Sequence, residues 1–405
     1  MKRFFKVLNL SFVICVLFSL CAFSASAKED IYEKLTDNKG GIMSISHRGD
    51  TAAFPENSLG AVLSAGKKGA DMISVSVRMS ADGVLVLCEK GDLSSFCKTE
   101  ETDTAVLSFN ELKKISYYET DGRISESKIV SLEEAFRKLQ GKSILVLDNA
   151  WEYRDEVNAF CKENDAFERI ILRTDEKAKA VKGWKEEVNS SLSVMGVCDG
   201  GVIFTSVSHV ETLRNEHLVQ YQSKNYFNEM YKGFVTKRFL KDGYPRAVVP
   251  MYNADLCGQR TDSDTGWNEM INRGFSVIET NCIEELENYI SRTRKVREEL
   301  SELLTKAQNV DIYLYSTGSE KNFSKALAEA WEVYSDNNAS LETLQSSYSL
   351  LSETMKNLTF GTHEDEQRGN LNITAGKVAA TVFFGSLILA GEIYVYKKQK
   401  RKISK

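Results

Sequence analysis

The chain lacks the patterns that announce several common kinds of site. Its 8 cysteines include no C-x-x-C pair and no neighbouring histidine pair, so the sequence offers no tetrahedral zinc set. Histidine is scarce, 4 in 405 residues, and three of them (His209, His217 and His363) lie in polar stretches that read as loop or surface. Surplus positive charge is missing as well. The formal charge is −5, and residues 28–396, without the basic segments at both ends, carry −14. A body this acidic repels polyanions, which excludes nucleic acid as a natural partner. Disorder is excluded by the 42% hydrophobic content, ample for a packed core in one large domain plus a smaller one.

Long apolar runs are confined to the two ends. Lys2, Arg3 and Lys6 precede an apolar stretch from Val7 to Phe23, and Ala25-Ser26-Ala27 offers a small-residue cleavage site, so residues 1–27 read as a secretory signal. Near the other end, Val378 to Tyr396 contains a single charge, Glu392, and matches the length a bilayer core demands. Residues 375–396 are therefore expected to form a transmembrane helix. The basic tail 397–405 would stay cytoplasmic and the body would face outward. In that oxidising compartment Cys88 and Cys97 could pair across a short loop. Cys161, Cys198, Cys257 and Cys282 read as buried thiols.

Between the ends the pattern changes once. From Gly41 to about Ile283, short β-branched runs alternate with amphipathic helical ones: 42–46, 72–77, 84–87, 143–147, 169–172, 193–197, 218–221, 247–251 and 276–279. This alternation predicts a parallel sheet with helices outside it, and about 240 residues suit a TIM (β/α)8 barrel. Nine runs is one too many. Asp82-Gly83 is a turn signal, which makes 84–87 a hairpin partner of the preceding strand. After Ile283 only helical periodicity remains, with apolar faces through Leu286 to Leu304, Phe323 to Trp331 and Leu344 to Leu358, and with Ser340 placed as an N-cap. Residues 291–360 are thus expected to form a small three-helix bundle, and 361–374 a polar linker. Through Tyr315, Ala326, Leu327, Ala330, Asn338, Ala339, Leu351 and Leu358 the bundle resembles the extracellular FIVAR modules, which serve as spacers.

The chemistry concentrates at His47-Arg48-Gly49, followed by Pro55-Glu56-Asn57-Ser58. A guanidinium can fork onto two phosphate oxygens, and an imidazole can move a proton near neutral pH. With Ala65, Gly69-Ala70-Asp71 and Asp82-Gly83 downstream, the segment resembles the glycerophosphodiester phosphodiesterase family over residues 41–290. Residues 129–136 resemble that family's helix start, and 274–281 its final strand. The resemblance implies a phosphoric diester hydrolase. It would hold Ca²⁺ or Mg²⁺ on a Glu-x-Asp pair and a further Glu, with two His sharing the proton transfers.

Carried over by position, His47 matches the first catalytic His, Arg48 the phosphate-binding Arg, and Glu56 and Asn57 the supporting turn. The remaining positions depart from the pattern. Ser74 and Ser76 stand where the metal-binding Glu and Asp belong, and Cys88-Glu89 where His-Asp belongs. Asp148 replaces the third carboxylate, and Ala150 the Lys beyond it. Hard cations need anionic oxygens, so these exchanges imply a weak or absent metal and impaired hydrolysis. Tyr252, Asn253, Arg260, Trp267, Arg173 and Gln222 lie after or near strand ends, where substrate contacts arise, and loop packing explains them equally well.

Three readings follow. One is a pseudoenzyme-like barrel on a membrane-anchored stalk that binds a phosphodiester, a glycerol-phosphate-containing small molecule or a surface polymer. Another is an active phosphodiesterase with an altered metal site using Asp148, Glu56 or Glu89. The third is a non-catalytic interaction module in which Arg48 pairs with Glu56 or Asp148, and a backbone carbonyl holds His47.

Overall fold

A computed structural model describes residues 31–199, 203–222 and 245–361. The expected signal, the transmembrane helix, the basic tail and all but the first residue of the linker lie outside the described residues. Among the described residues no helix is long and apolar enough to cross a membrane.

Eight parallel strands close on themselves: β1 (Met43–Ser46), β2 (Met72–Met79), β6 (Ile144–Asp148), β7 (Ile170–Thr174), β8 (Ser193–Asp199), β9 (Leu218–Gln222), β10 (Arg246–Pro250) and β11 (Val277–Thr280). β1 pairs with both β2 and β11, which leaves no edge. β3 (Leu85–Leu87) pairs antiparallel with β2, the hairpin that Asp82-Gly83 predicts. A second hairpin, β4 (Ser116–Tyr118) with β5 (Ile124–Lys128), was not foreseen. Both strands are short and polar, so neither gives an apolar run.

Alternation along each strand divides the residues between two environments. One set, Ile73, Val75, Leu145, Leu147, Ile170 and Leu172, packs outward against the helices. The opposite set, Met43, Ile45, Met72, Val146, Ile171, Met195, Leu218, Val248 and Val277, fills the barrel interior, and Leu35 from helix Ile31–Thr36 joins it. The same inward parity continues to the carboxyl ends of the strands and there turns polar: His47, Ser74, Ser76, Asp148, Arg173, Gln220 and Glu279. The turn after β1 is tight. Gly49 has φ +87°, and a Cβ on it would lie 2.7 Å from the Ala61 backbone. Helix Leu59–Lys68 then starts on Ser58, whose hydroxyl accepts the Ala61 N–H, and ends on left-handed Gly69.

Beyond the barrel run helices Ile283–Gln308, Thr317–Ser335 and Leu341–Lys356, the last capped by Ser340, which accepts the Thr343 N–H at 3.1 Å. The expected boundary at 290 falls inside the first of these, because its apolar stripe continues unbroken. The described residues divide into two compact units, one running to Leu304 and including Glu329–Ser349, the other Thr305–Ala328 with the residues from Leu350 onward. In the first unit the Leu341 N–H donates to the Tyr289 hydroxyl, and the Asn338 amide to the Asn38 carbonyl. In the second, Tyr315 stacks on Phe360 and the Ser316 N–H donates to the Thr359 carbonyl.

Candidate functional site

At the carboxyl ends of the strands lies an open cavity of about 530 Å³. His47, Arg48, Ser76, Glu89, Asp148, Arg173 and Tyr252 are among its lining residues. His47 directly follows β1, and its Nδ1 lies 3.0 Å from Glu279 Oε1 while its ring stacks on Tyr252 at 3.5 Å and 5°. A carboxylate, not a backbone carbonyl, therefore orients it. Tyr252 is half-buried behind it, and this burial pushes the phenol up.

Arg48 adopts φ 57°, which turns its backbone N–H onto Ser74 Oγ. Its Nη1 reaches both oxygens of Glu56 at 3.0 and 2.9 Å, and its Nη2 meets Glu89 at 2.9 Å. Nε is buried without an acceptor among the described residues. Burial opposes the charge of Arg48, but Glu56 and Glu89 outweigh it and raise the pKa. Of the two pairings open at the outset, Glu56 is the one formed. Asn57 braces the turn, its Oδ1 accepting the Ser76 N–H at 2.8 Å.

Asp148 is held elsewhere. Arg173 chelates it, Nε to Oδ1 and Nη2 to Oδ2, the latter at 2.7 Å. The same guanidinium reaches Glu279 through Nη1 at 2.5 Å and Nη2 at 2.9 Å, and Gln220 Oε1 at 2.6 Å. Glu279 has no exposed surface. Burial alone would raise its carboxyl, yet Arg173 and His47 hold it well below the usual range. Asp148 is pushed up by burial, with the Glu279 charge adding to the effect. Of the two carboxylates on Arg173, Asp148 is thus the first to take a proton as pH falls.

The positions expected to bind metal do not assemble a metal site. The Ser74 hydroxyl donates to Glu279 at 2.8 Å, and that of Ser76 to Glu89 at 2.8 Å. All four carboxylate oxygens of Asp148 and Glu279 accept N–H groups from Arg173. Among the described residues no group of three His, Cys, Asp or Glu could hold an ion. A divalent cation such as Ca²⁺ or Mg²⁺ needs free anionic oxygens, and this donor set does not fit one.

The position of the second His offers no proton carrier either. Cys88 is fully buried, and burial pushes its thiol up to about 12. It stays a neutral thiol, packed with Leu93, Cys97 and Tyr117. Cys88 and Cys97, which could have paired, are both free thiols. Of the late-strand candidates, Tyr252, Arg173 and Gln222 reach the cavity and Asn253 does not line it. Arg260 instead pairs with Glu269, and Trp267 donates to Asp262 inside the core. His209 stands half-buried on helix Ile203–Thr212 and not in a loop, whereas His217 lies in the bend before β9, as expected, 3.2 Å from the Tyr32 hydroxyl. Glu279 was missed at first, although an acid in the apolar run Val277-Ile278-Glu279 signals an inward polar position.

Residues 47–198 match the sequence profile of the Glycerophosphoryl diester phosphodiesterase family, so the resemblance drawn from His47-Arg48-Gly49 holds from the turn after β1 into β8. A solved structure gives the same barrel. A glycerophosphoryl diester phosphodiesterase from Parabacteroides distasonis is 17% identical over 65% of this chain and 91% of its own, with a TM-score of 0.53. Glycerophosphodiester phosphodiesterases from Agrobacterium tumefaciens (17%, 61% and 99%, 0.47) and Thermotoga maritima (22%, 60% and 96%, 0.46) are also similar. No curated protein matches.

Proposed function

We propose that the barrel captures a phosphodiester, as a glycerol-phosphate-bearing small molecule or surface polymer, and hydrolyses it weakly or not at all. Arg48 carries this reading. It sits on the cavity wall with a buried Nε that meets no acceptor, in the position the family resemblance assigns to phosphate. A phosphate entering there takes the place of Glu56, whose side chain is 39% exposed and free to swing into water. Glu89, 18% exposed and held by Ser76, stays. Displacing one carboxylate costs affinity, so binding is weak.

Hydrolysis is limited by what surrounds the ester. His47 has Nδ1 committed to Glu279, which leaves Nε2 to exchange a proton with a bound ligand. The position of the family's second His supplies no acid or base, because Cys88 is a buried neutral thiol, and such a loss costs roughly 10² to 10⁴ in rate. The sequence pattern supports a location outside the cell. The signal at 1–27 would deliver the barrel, a FIVAR-like stalk would space it, and 375–396 would anchor it. Membrane fractionation of the tagged chain, with and without residues 375–405, tests this.

For the site, the purified chain is mixed with glycerophosphodiesters and added Ca²⁺ or Mg²⁺. Release of glycerol phosphate is expected at or near background. Calorimetry with sn-glycerol-3-phosphate should show weak binding, lost in Arg48→Ala and strengthened severalfold in Glu56→Gln. Metal-dependent turnover abolished by His47→Ala would sink the non-hydrolytic half of this reading. Absence of binding to both the wild type and Glu56→Gln would sink the other half.

A further inference from the structure

We propose that Arg173 is a resident cation that occupies, in this barrel, the place of a divalent metal ion. Its guanidinium sits among the inward-facing carboxyl-terminal residues, between the carboxylates of Asp148 and Glu279. A guanidinium has five N–H donors. Each has a partner here: Nε on Asp148, Nη1 on Gln220 and Glu279, Nη2 on Asp148 and Glu279. Nothing is left over for a ligand, so Arg173 acts on the carboxylates and not on substrate. The side chain is 7% exposed and Glu279 is closed to water, so the pairing is not a surface accident.

The charge count supports the same assignment. One guanidinium balances one of the two carboxylates, leaving a single negative charge, which His47 borders. Carboxylates at 74 and 76 would leave three. Hydroxyls there are what a singly charged centre tolerates, and Ser74 uses its hydroxyl as a donor to Glu279. The serines at 74 and 76 and the arginine at 173 are therefore parts of one exchange: fewer anions, and a cation built into the chain. It follows that the barrel needs no divalent ion for its stability or for any ligand it holds.

The test is a calcium titration of the purified full chain, read by thermal melting and calorimetry. The wild type should show no change in melting temperature and no binding heat, and chelator should have no effect. In Arg173→Gln the carboxylates are released, and calcium should then raise the melting temperature by several degrees through mass action. Adding Asp148→Asn should remove that gain. A calcium-stabilised wild type would overturn the proposal, and so would a folded Arg173→Gln that ignores calcium. Should Arg173→Gln fail to fold without calcium, Arg173→Lys decides. It keeps the charge, should fold with a lower melting temperature and should stay indifferent to calcium; a calcium response in it would sink the idea. Failure of glycerol phosphate to bind leaves this inference standing, whereas a calcium-responsive wild type leaves ligand capture open.

Discussion

Two arginines are buried at opposite ends of the same barrel, and they are satisfied in different ways. Arg173, at the carboxyl end of β7, is surrounded by carboxylates. Arg246, at the amino end of β10, meets backbone carbonyls: Lys34 at 2.8 Å, Ser276 at 3.1 Å, Asp37 at 3.3 Å, and Gly41. The surroundings set their pKa values apart. Two carboxylates overcome the burial of Arg173 and hold it well above its ordinary value, whereas burial pulls Arg246 down, with Asp71 and Asp37 only partly offsetting. Arg246 ties the segment around helix Ile31–Thr36 to the floor and is a fastener of chain segments. Arg173 neutralises acids whose charge has no other outlet, and so decides what chemistry the opposite end can host.

The largest expected effect comes from removing Arg173. Arg173→Met leaves Glu279 buried and charged, and breaking such a pair costs about 3–5 kcal/mol, measurable by urea unfolding. Adding Glu279→Leu and Asp148→Leu should recover most of that loss, since well-packed apolar replacements of buried ion pairs are often neutral. A triple variant no more stable than the single one would contradict the charge argument. Arg246→Met removes hydrogen bonds to carbonyls and to the Ser276 hydroxyl but no carboxylate pair, so its cost should be smaller, about 1–3 kcal/mol. A larger loss there than at Arg173 would invert the comparison.

A pH-dependent effect concerns the floor alone. Glu287 accepts the Ser44 hydroxyl at 2.5 Å, and burial, with the Asp71 charge adding, pushes its carboxyl up to about 7. An unfolded Glu titrates near about 4.3, so between these values the folded chain holds an extra proton and stability falls as pH rises through that window. Glu287→Gln should be more stable than wild type at pH 8 and about equal to it at pH 5. Parallel stability curves for the two proteins between pH 5 and 8 would remove Glu287 as the cause.

Much of this was legible in the sequence, for a reason visible along each strand. All nine extended runs formed, because barrel strands are apolar on both faces and stand out as β-branched runs. The hairpin of β4 and β5 has no such contrast, and Ile283–Gln308 hides a domain edge inside one uninterrupted stripe. At the site, His47, Arg48, Glu56 and Glu89 were readable from local order in the chain. The grouping of Arg173 with Glu279 was not, since 106 residues separate them and only closure of the barrel brings them together. Counting alternate positions in each run would have placed both on the inner face.

The saturated guanidinium also fixes the order in which hydrolytic machinery could be reinstalled in this scaffold. Writing Glu at 74 and Asp at 76 would crowd two further anions around an arginine with no donor to spare, and the first result would be instability instead of turnover. Vacating position 173 has to come first. Only then do added acids meet an incoming ion in place of one another.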